Sequence, residues 1–391
     1  MGERRTAPRE ANYELLRIVA MAMVVTLHYL SRADALVEIG LPLSSVRLVG
    51  NALESLCIVS VNVYVLISGY FLSASGARLR RVISLLCEIL FYTIGIPLVL
   101  RAAGLTVTTL PGQGNSLWSA AAGLLPVSTE HYWFATAYVL MLLFTPVLNA
   151  GVAAMSRRQL RGTIFCLLFF FSFLKSVSPV QFVTDHAGYD FGWFLCLYLI
   201  AAYGRRYGFG WLERERSGRR GLILYLASAA GIYLLALAVY LAHALTGAGL
   251  TYYAGVPFHY NFVLTLTGGI GLFVWFRHLR IPEGRAARWI RAIAPCTFGI
   301  YLIHENLELR DRWFTWEMRL LGGVSQNPVL FVGQLLAGVA LLYLLCAAAD
   351  ALRRLLFAAA GRMLARTGLE TILRRIESDP EGGEQEKGSG R

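Results

Sequence analysis

The sequence has little charge for its length, and this shortage excludes most soluble folds. Only 15% of its 391 residues are Asp, Glu, Lys or Arg, whereas 56% are hydrophobic and the mean hydropathy is +0.55. A soluble domain of this size needs more charge to cover its surface, so a lipid bilayer is the expected solvent. Lysine is nearly absent, with only Lys175 and Lys387, so arginine carries almost all of the positive charge.

The cysteine pattern lacks the spacings that would indicate a disulfide framework or a zinc site. The cysteines occur singly within apolar runs, with no Cys-x-x-Cys pair and no Cys/His pair at a metal-binding spacing. We therefore predict small buried side chains, no bound metal and no bound cofactor. The six are Cys57, Cys87, Cys166, Cys196, Cys296 and Cys346.

The net charge of +12 would suggest nucleic-acid binding in a soluble protein. Here the basic residues fall in short clusters between apolar runs, which is typical of cytoplasmic loops beside a membrane. We therefore predict that the partner is the lipid bilayer and that nucleic acid is not a partner.

Apolar stretches long enough to cross a bilayer, about 20 residues at a rise of 1.5 Å each, recur along the chain. We predict an all-α integral membrane domain over residues 1–350, folded as a bundle of about ten transmembrane helices. The first stretch could also be read as a cleaved signal peptide, but it contains Arg17 and His28 and is long for one, so we retain it. The predicted helices lie near residues 13–31, 46–72, 82–103, 131–150, 162–178, 189–204, 221–246, 258–277, 290–307 and 328–350.

The distribution of arginine and lysine predicts the orientation of the chain. Placing both termini in the cytoplasm puts 29 of the 36 basic residues into cytoplasmic segments, as the positive-inside rule requires. Residues 351–376 form a basic amphipathic stretch, which we predict to lie along the inner leaflet. The polar residues 377–391 are predicted to be disordered. A short apolar segment, 116–127, is predicted to lie in the membrane interface or to re-enter the bilayer.

Two ionisable side chains occur within the first predicted helix, where exposure of a charge to lipid is costly. Arg17 and His28 are eleven positions apart, close to three full turns, so both project from one stripe, roughly 16 Å apart along the axis. Such a pair could hold a long ligand with an anionic end and a reactive end, such as extended phosphopantetheine. The alternative is that Arg17 reaches lipid headgroups while His28 bonds to a neighbouring helix.

Arg78 and Arg81 follow the second predicted helix and would share a face if that segment is helical. A pair of guanidinium groups suits phosphates, including those of coenzyme A. Ordinary anchoring at the cytoplasmic surface would place the same residues there. Glu88, in the third predicted helix, could balance an arginine such as Arg17.

A second group of polar and aromatic residues is predicted near the outer face. Carboxylates, imidazoles and aromatic rings are what a hydroxyl-bearing sugar needs for hydrogen bonds and stacking. Aromatic rings also form interfacial belts, but a belt does not require imidazole, so the two histidines are the stronger candidates. The predicted substrate-binding residues are Glu130, His131, Tyr132, Trp133, His304 and Glu305.

Four short motifs are spread over the predicted membrane domain. They are Arg17-x10-His28 within the segment that starts at Asn12; Ile67-Ser68-Gly69-Tyr70-Phe71-Leu72 followed by Arg78-x-x-Arg81; Tyr132-Trp133-Phe134 leading to Tyr138 and Pro146-Val147-Leu148-Asn149; and Thr297-Phe298-Gly299-Ile300-Tyr301-Leu302-Ile303-His304. No single motif is specific, but in this order, from Asn12 to about Arg312, they resemble the acyltransferase-3 family of membrane-bound acyltransferases that modify bacterial cell-surface polysaccharides.

The resemblance implies transfer of an acyl group, with acetyl as the expected group, from acyl-coenzyme A as co-substrate to a hydroxyl of a cell-surface or exported glycan. It implies that His28 is the catalytic base and that Arg17, Arg78 and Arg81 bind the donor. Direct transfer and a relay through an acyl-histidine both remain open. Tyr64 departs from the usual phenylalanine-rich form of the second motif. A multi-pass protein of the bacterial cytoplasmic membrane is also implied.

Two other functions fit parts of the pattern. Ionisable residues within membrane helices also mark the substrate paths of transporters, and Gly268-Gly269 could interrupt a helix in the way that transport helices are interrupted. However, we find no matching interruption in the first half of the chain and no internal repeat. A non-catalytic scaffold in a glycan assembly complex would not depend on His28.

Overall fold

The computed structural model describes residues 9–75, 79–109, 125–127, 131–178, 186–214 and 218–364, and the regular elements within them are helical. We number the main helices in chain order. They are α1 (Ala11–Arg32), α2 (Ser45–Cys57), α3 (Ser60–Leu72), α4 (Leu79–Ala102), α5 (Trp133–Ala154), α6 (Arg157–Val177), α7 (Phe191–Tyr207), α8 (Arg219–Thr246), α9 (Val263–Arg277), α10 (Arg285–Ile293), α11 (Thr297–His304), α12 (Trp313–Leu321) and α13 (Pro328–Leu364).

Seven segments of the described chain are long and apolar enough to cross a membrane. They are α1, the α2–α3 pair taken together, α4, α5, α6, α8 and α13. The other three predicted spans are helical at the predicted places but shorter, since α7 has 17 residues, α9 has 15 and α11 has eight. The all-α membrane bundle is thus confirmed, whereas the count of ten spans is not.

The short helices α7 and α9 lie in the interior of the bundle. Trp193 and Leu197 of α7 and Phe273 of α9 are fully buried, whereas Phe165 and Phe170 of α6 are largely exposed. A helix enclosed by other helices is shielded from lipid by its neighbours, so it need not match the bilayer thickness by itself. Length and hydropathy therefore do not identify α7 and α9 as spans, although they do identify the buried α2–α3 pair.

Contacts between helix ends show that the chain runs up and down through the bundle. The Asn12 side chain donates to the carbonyl groups of Phe276 and Arg277, both at 3.1 Å, so α1 begins where α9 ends. The Asn149 side chain donates to the Leu72 carbonyl at 3.2 Å, so α5 and α3 end on the same side. These contacts place the ends of α3, α5 and α9 as the predicted alternation requires; which side is cytoplasmic stays a prediction.

Glycine residues bring α8 and α9 into backbone contact. A Cβ atom at Gly271 would lie 2.6 Å from the carbonyl oxygen of Gly221, and one at Gly221 would lie 2.5 Å from that of Gly271. Small residues commonly allow transmembrane helices to approach this closely. Helix α9 continues unbroken through Gly268 and Gly269, so the interruption that would have favoured a transport helix is absent at this position.

The prediction that all six cysteines are buried is wrong for two of them. Cys87 on α4 and Cys166 on α6 are exposed, and the other four are buried. An apolar face turned towards lipid and one turned towards protein have similar compositions, so the sequence does not distinguish them.

Helix α13 passes the predicted domain boundary at residue 350 without a break. Its 37 residues span roughly 55 Å at 1.5 Å per residue, which exceeds a hydrocarbon core of about 30 Å. Residues 351–364 therefore continue the last membrane helix. The rest of the predicted inner-leaflet segment, the tail 377–391 and most of segment 116–127 lie outside the described residues.

Candidate active site

One stripe of helix α1 lines two cavities. Glu14 and Arg17 line the first, and Met21, Val24 and His28 line the second. Steps of three or four residues place all five side chains on one face of an α-helix. Arg17 and His28 therefore share a face, roughly 16 Å apart along the axis. We call the first the arginine cavity and the second the histidine cavity.

His28 is held by two side chains from the end of α11. Its Nδ1 lies 2.9 Å from Nε2 of His304 and 3.2 Å from Oε1 of Glu305. His304 is the last residue of α11 and Glu305 caps that helix, so both belong to its final turn. The bundle thereby brings His28 and His304, which are 276 positions apart in the sequence, into hydrogen-bonding distance.

The hydrogen-bond partners determine which ring nitrogens carry protons. Nδ1 of His304 lies 2.6 Å from the Ile300 carbonyl oxygen, which only accepts, so this nitrogen donates. In a neutral ring, Nε2 of His304 is then an acceptor, and Nδ1 of His28 donates to it. The lone pair of His28 is left on Nε2, which has no hydrogen-bond partner within the described part of the chain. A neutral His28 in this tautomer can accept a proton through Nε2.

Arg32 positions Glu305 from the same helix that carries His28. Its Nη2 donates to Oε1 of Glu305 at 3.1 Å, and its guanidinium carbon lies 5.2 Å from the centre of the Trp313 ring. The carboxylate is therefore held by a charge-assisted hydrogen bond while it faces His28. The sequence analysis did not identify Arg32, although its place four residues after His28 was a usable signal of proximity on a helix.

His28, His304 and Glu305 also resemble a set of metal ligands, because their ligand atoms lie within 4.8 Å of one another. Two features oppose a bound cation. The positively charged Arg32 already contacts Oε1 of Glu305, and a metal ion would displace the hydrogen bond between the two imidazoles. We therefore assign the three residues hydrogen-bonding roles, and the absence of a metal stays a prediction.

The histidine cavity is small, about 70 Å³, and aromatic rings form much of its wall. The ring centre of Trp133 lies 4.5 Å from that of Tyr189 and 5.7 Å from that of Tyr260, and the two tyrosine rings are 4.6 Å apart. Tyr189 is 45% exposed, so this cluster reaches the protein surface. Aromatic faces beside an imidazole suit a sugar ring that stacks while it presents a hydroxyl group.

The arginine cavity is larger, about 590 Å³, and charged. Nη1 of Arg17 lies 2.7 Å from Oε1 of the buried Glu14, and Nη1 of Arg9 lies 3.9 Å from Oε2 of the same carboxylate. Arg81 donates to the hydroxyl of Ser75 at 3.3 Å and has no carboxylate partner among the described residues. Three arginines and two glutamates line this cavity, so its wall carries excess positive charge.

Glu88 does balance an arginine, but that arginine is Arg353 and not Arg17. Oε1 of Glu88 lies 3.0 Å from Nη2 of Arg353, which also hydrogen-bonds to Asp350 on its own helix. Arg17 is instead paired with Glu14, three residues earlier on α1. The spacing of Glu14 and Arg17 would have predicted this pair, because side chains three apart are neighbours on a helix.

Among the described residues, Tyr64 is the one that lines both cavities. Its hydroxyl oxygen lies 2.7 Å from that of Thr297. The Thr297 hydroxyl donates to the Ala294 carbonyl at 2.9 Å, so its oxygen accepts the proton of Tyr64. The buried ring of Tyr64 thus stands between the arginine cavity and the histidine cavity. The sequence analysis noted this residue only as a departure from a motif.

The other predicted site residues are divided among several places. Trp133 lines the histidine cavity, whereas His131 and Tyr132 do not. The Tyr132 hydroxyl donates to the Leu302 carbonyl at 2.7 Å, inside the bundle. His131 is buried, and its Nε2 has no hydrogen-bond partner in the described chain. Two further predicted residues lie outside the described residues, namely Arg78 and Glu130. The roles of all these residues stay predictions.

A bundle of membrane-spanning helices with a histidine-containing cavity between them defines a multi-pass membrane protein with room for a reaction inside it. A sequence model of the acyltransferase-3 family, described as an acyltransferase domain, matches residues 10–350, which include the lining residues of both cavities except Arg9. The chain therefore belongs to this family and is a membrane acyltransferase. No curated protein and no solved structure gave a match.

Proposed function

We propose that the protein moves an acetyl group from acetyl-coenzyme A to a hydroxyl group of a cell-surface or exported glycan. In this proposal the donor enters the arginine cavity from the cytoplasm, and the glycan reaches the histidine cavity from the other side of the bacterial cytoplasmic membrane. The small volume of the histidine cavity, about 70 Å³, favours a short acyl group.

The observation that carries the proposal is that one stripe of α1 borders both cavities, which meet at Tyr64. Acyl-coenzyme A has an anionic nucleotide at one end and a thioester at the other. The distance from Arg17 to His28, roughly 16 Å along the helix, is comparable with the reach of the pantetheine arm between them. A positively charged cavity followed by an aromatic one therefore matches the order of groups in the donor.

His28 acts as the general base in this mechanism. Its Nε2 takes the proton of the acceptor hydroxyl as the oxygen attacks the thioester carbonyl carbon, and the C–S bond then breaks. The departing thiolate takes the proton back from the imidazolium, which returns His28 to its neutral form. His304 and Glu305 accept from Nδ1, so they orient the ring and stabilise the imidazolium while it exists.

Arginine side chains bind the donor. Arg17 and Arg81 line the arginine cavity and offer guanidinium groups to phosphate or carbonyl oxygens of acyl-coenzyme A. Arg78 is proposed to take part with Arg81 on the strength of the motif. Nη1 of Arg17 lies 2.7 Å from Oε1 of Glu14. This ion pair orients the guanidinium before the donor binds.

The test compares His28→Ala with His186→Ala in membranes that contain the full-length protein. We expect His28→Ala to lower acetyl transfer from labelled acetyl-coenzyme A to the surface glycan by at least about 100-fold, because general base catalysis contributes that much. His186 is exposed and lies outside both cavities, so its variant should match the wild type.

Correct insertion of each variant is checked by its yield and monodispersity in detergent. If a folded His28→Ala protein acetylates the glycan at the wild-type rate, the base assignment is wrong. If membranes without the protein also retain acetylation, the protein is not the transferase; a defect in glycan assembly in those membranes would then indicate a scaffold role.

A further inference from the structure

We infer that Arg205, at the end of α7, is a phosphate-binding residue for the nucleotide end of the donor. This inference rests on the proposed function, because it assumes that coenzyme A occupies the arginine cavity. Arg205 belongs to none of the four motifs and was not among the residues that the sequence analysis predicted for donor binding.

Arg205 lies beside a wall of the arginine cavity. Its guanidinium carbon is 4.7 Å from the ring centre of Tyr70 and 5.7 Å from that of Phe71. Phe71 lines the arginine cavity, and the guanidinium carbon of Arg17 is 5.9 Å from the centre of the same ring. Two arginines from different helices therefore approach one aromatic side chain at the cavity.

The charges around these rings are not balanced. Arg17 is paired with Glu14, and Arg277, whose guanidinium carbon lies 5.4 Å from the Tyr70 ring centre, is paired with Glu213. Arg205 has no carboxylate partner among the described residues, and its side chain is exposed. It thus adds an uncompensated positive charge beside a cavity whose own wall is already positive.

Stacking leaves the Arg205 guanidinium available to an anion. A cation held over aromatic rings keeps its N–H donors at the edge of its plane, where they can meet phosphate oxygens in a bidentate arrangement. Side-chain entropy is also lost before the ligand binds, which favours affinity. The ligand chemistry is therefore a phosphate group, either that of coenzyme A or that of a lipid headgroup at the membrane surface.

The experiment measures equilibrium binding to the full-length protein in nanodiscs, without turnover. The ligands are coenzyme A, 3′-dephospho-coenzyme A and pantetheine, which carry progressively fewer phosphates. The variants are Arg205→Gln and Arg158→Gln. Arg158 is an exposed arginine of α6 that lines neither cavity, so it controls for the loss of one positive charge.

We expect Arg205→Gln to weaken coenzyme A binding roughly 10-fold, as loss of a charge-assisted hydrogen bond does, and to leave pantetheine binding unchanged. Arg158→Gln should bind all three ligands like the wild type. If Arg205→Gln loses the same affinity for coenzyme A and for 3′-dephospho-coenzyme A, Arg205 contacts the diphosphate. If it loses affinity for coenzyme A alone, Arg205 contacts the 3′-phosphate.

Three results would overturn the inference. The first is that Arg205→Gln binds coenzyme A as tightly as the wild type does. The second is that it binds pantetheine and coenzyme A with equally reduced affinity, which would indicate structural damage. The third is that the loss of coenzyme A affinity occurs only in nanodiscs that contain anionic lipid, which would indicate that Arg205 binds a lipid headgroup. His28→Ala separates the inference from the reaction, because a protein that fails only in transfer should still bind coenzyme A.

Discussion

The two cavities differ in size and charge, although several of the same helices line both of them. The arginine cavity, about 590 Å³, has five charged residues in its wall, whereas the histidine cavity, about 70 Å³, is bordered mainly by aromatic rings. Helices α1, α3, α5 and α11 contribute to both walls, and four of the five charged residues lie on α1 or in the two positions before it. A continuous helical stripe can therefore serve two chemically distinct compartments when its own side chains change from charged to apolar along its length.

Tyr64 lies between the two cavities and lines both of them. The hydrogen bond from its hydroxyl to Thr297 holds the ring where the two cavities meet. If the donor arm is to carry its thioester to His28, the ring must move or the arm must pass beside it. We therefore expect substitutions beside the histidine cavity, in the arginine cavity and at Tyr64 to have different effects on catalysis, on donor binding and on the separation of the cavities.

The largest expected effect comes from His304→Ala, beside the histidine cavity. Removal of the nearer of the two acceptors for Nδ1–H lets the His28 ring change tautomer or rotate, so we expect kcat to fall on the order of 100-fold with little change in the KM for the donor. His304→Gln keeps an acceptor oxygen and should recover part of the rate. Equal losses in kcat and in donor affinity would contradict a positioning role for His304.

A smaller effect is expected in the arginine cavity. Arg17→Gln removes a charge-assisted contact to the donor, so the KM for acetyl-coenzyme A should rise roughly 10-fold with kcat nearly unchanged. The substitution also removes the nearer of the two arginines that contact buried Glu14, so Glu14→Gln/Arg17→Gln is the matched control for stability. The assignment is wrong if Arg17→Gln lowers kcat while its KM for the donor stays at the wild-type value.

Substitution of Tyr64 tests the partition directly. Tyr64→Ala should join the cavities, so that water reaches the thioester and acetyl-coenzyme A is hydrolysed several-fold faster without an acceptor. Proteoliposomes with this variant should also leak protons, because a polar path would cross the bundle. Tyr64→Phe keeps the ring and should remain close to the wild type in both assays. If Tyr64→Ala shows neither faster hydrolysis of acetyl-coenzyme A nor proton leakage, residues other than Tyr64 separate the cavities.

The smallest effect on activity is expected at Glu308, which lies beyond α11. Its Oε1 accepts from the backbone N–H groups of Thr108 and Thr109, at 2.6 and 2.8 Å, and from both hydroxyl groups at 2.9 Å. Burial tends to raise the pKa of this carboxyl, but these hydrogen bonds outweigh burial and hold the pKa below its ordinary range.

A depressed folded-state pKa means that ionised Glu308 stabilises the fold at neutral pH, and that this contribution is lost as the pH falls through the folded-state pKa. Glu308→Gln should therefore lower the free energy of unfolding by about 1–3 kcal/mol at neutral pH and flatten its decline in acid. Thermal unfolding at several pH values measures both effects. Glu38→Gln, at an exposed carboxylate that has no ion-pair partner among the described residues, is the control; identical pH profiles for all three proteins would refute the account.

Much of the fold could be predicted from composition and periodicity alone. Apolar stretches of sufficient length predicted every helix that is long enough to span, because the hydrophobic requirement is local. The prediction was weaker for α7, α9 and α11, since helices surrounded by protein do not need the length or composition that lipid demands. The continuation of α13 beyond residue 350 was also not predicted, because the basic residues after this position were interpreted as a separate segment along the inner leaflet.

The site was predictable to the extent that it lies on one helix. Arg17 and His28 share a stripe because eleven residues are close to three helical turns, and the pairing of Arg17 with Glu14 follows from the same geometry. Trp133 and His304 were chosen for their chemistry, and the structure places both beside His28 or its cavity. The error over Glu88 arose because its partner, Arg353, comes from a distant helix.

The sequence by itself determined that this chain is helical, that it resides in a membrane, and that an arginine and a histidine face the same way along its first helix. These properties depend on local hydropathy and on the pitch of the α-helix. Only the tertiary structure decided that His304 and Glu305 meet His28 and that Tyr64 divides two cavities. Such contacts join residues that are hundreds of positions apart in the chain, and only the packing of helices against one another selects which of them touch.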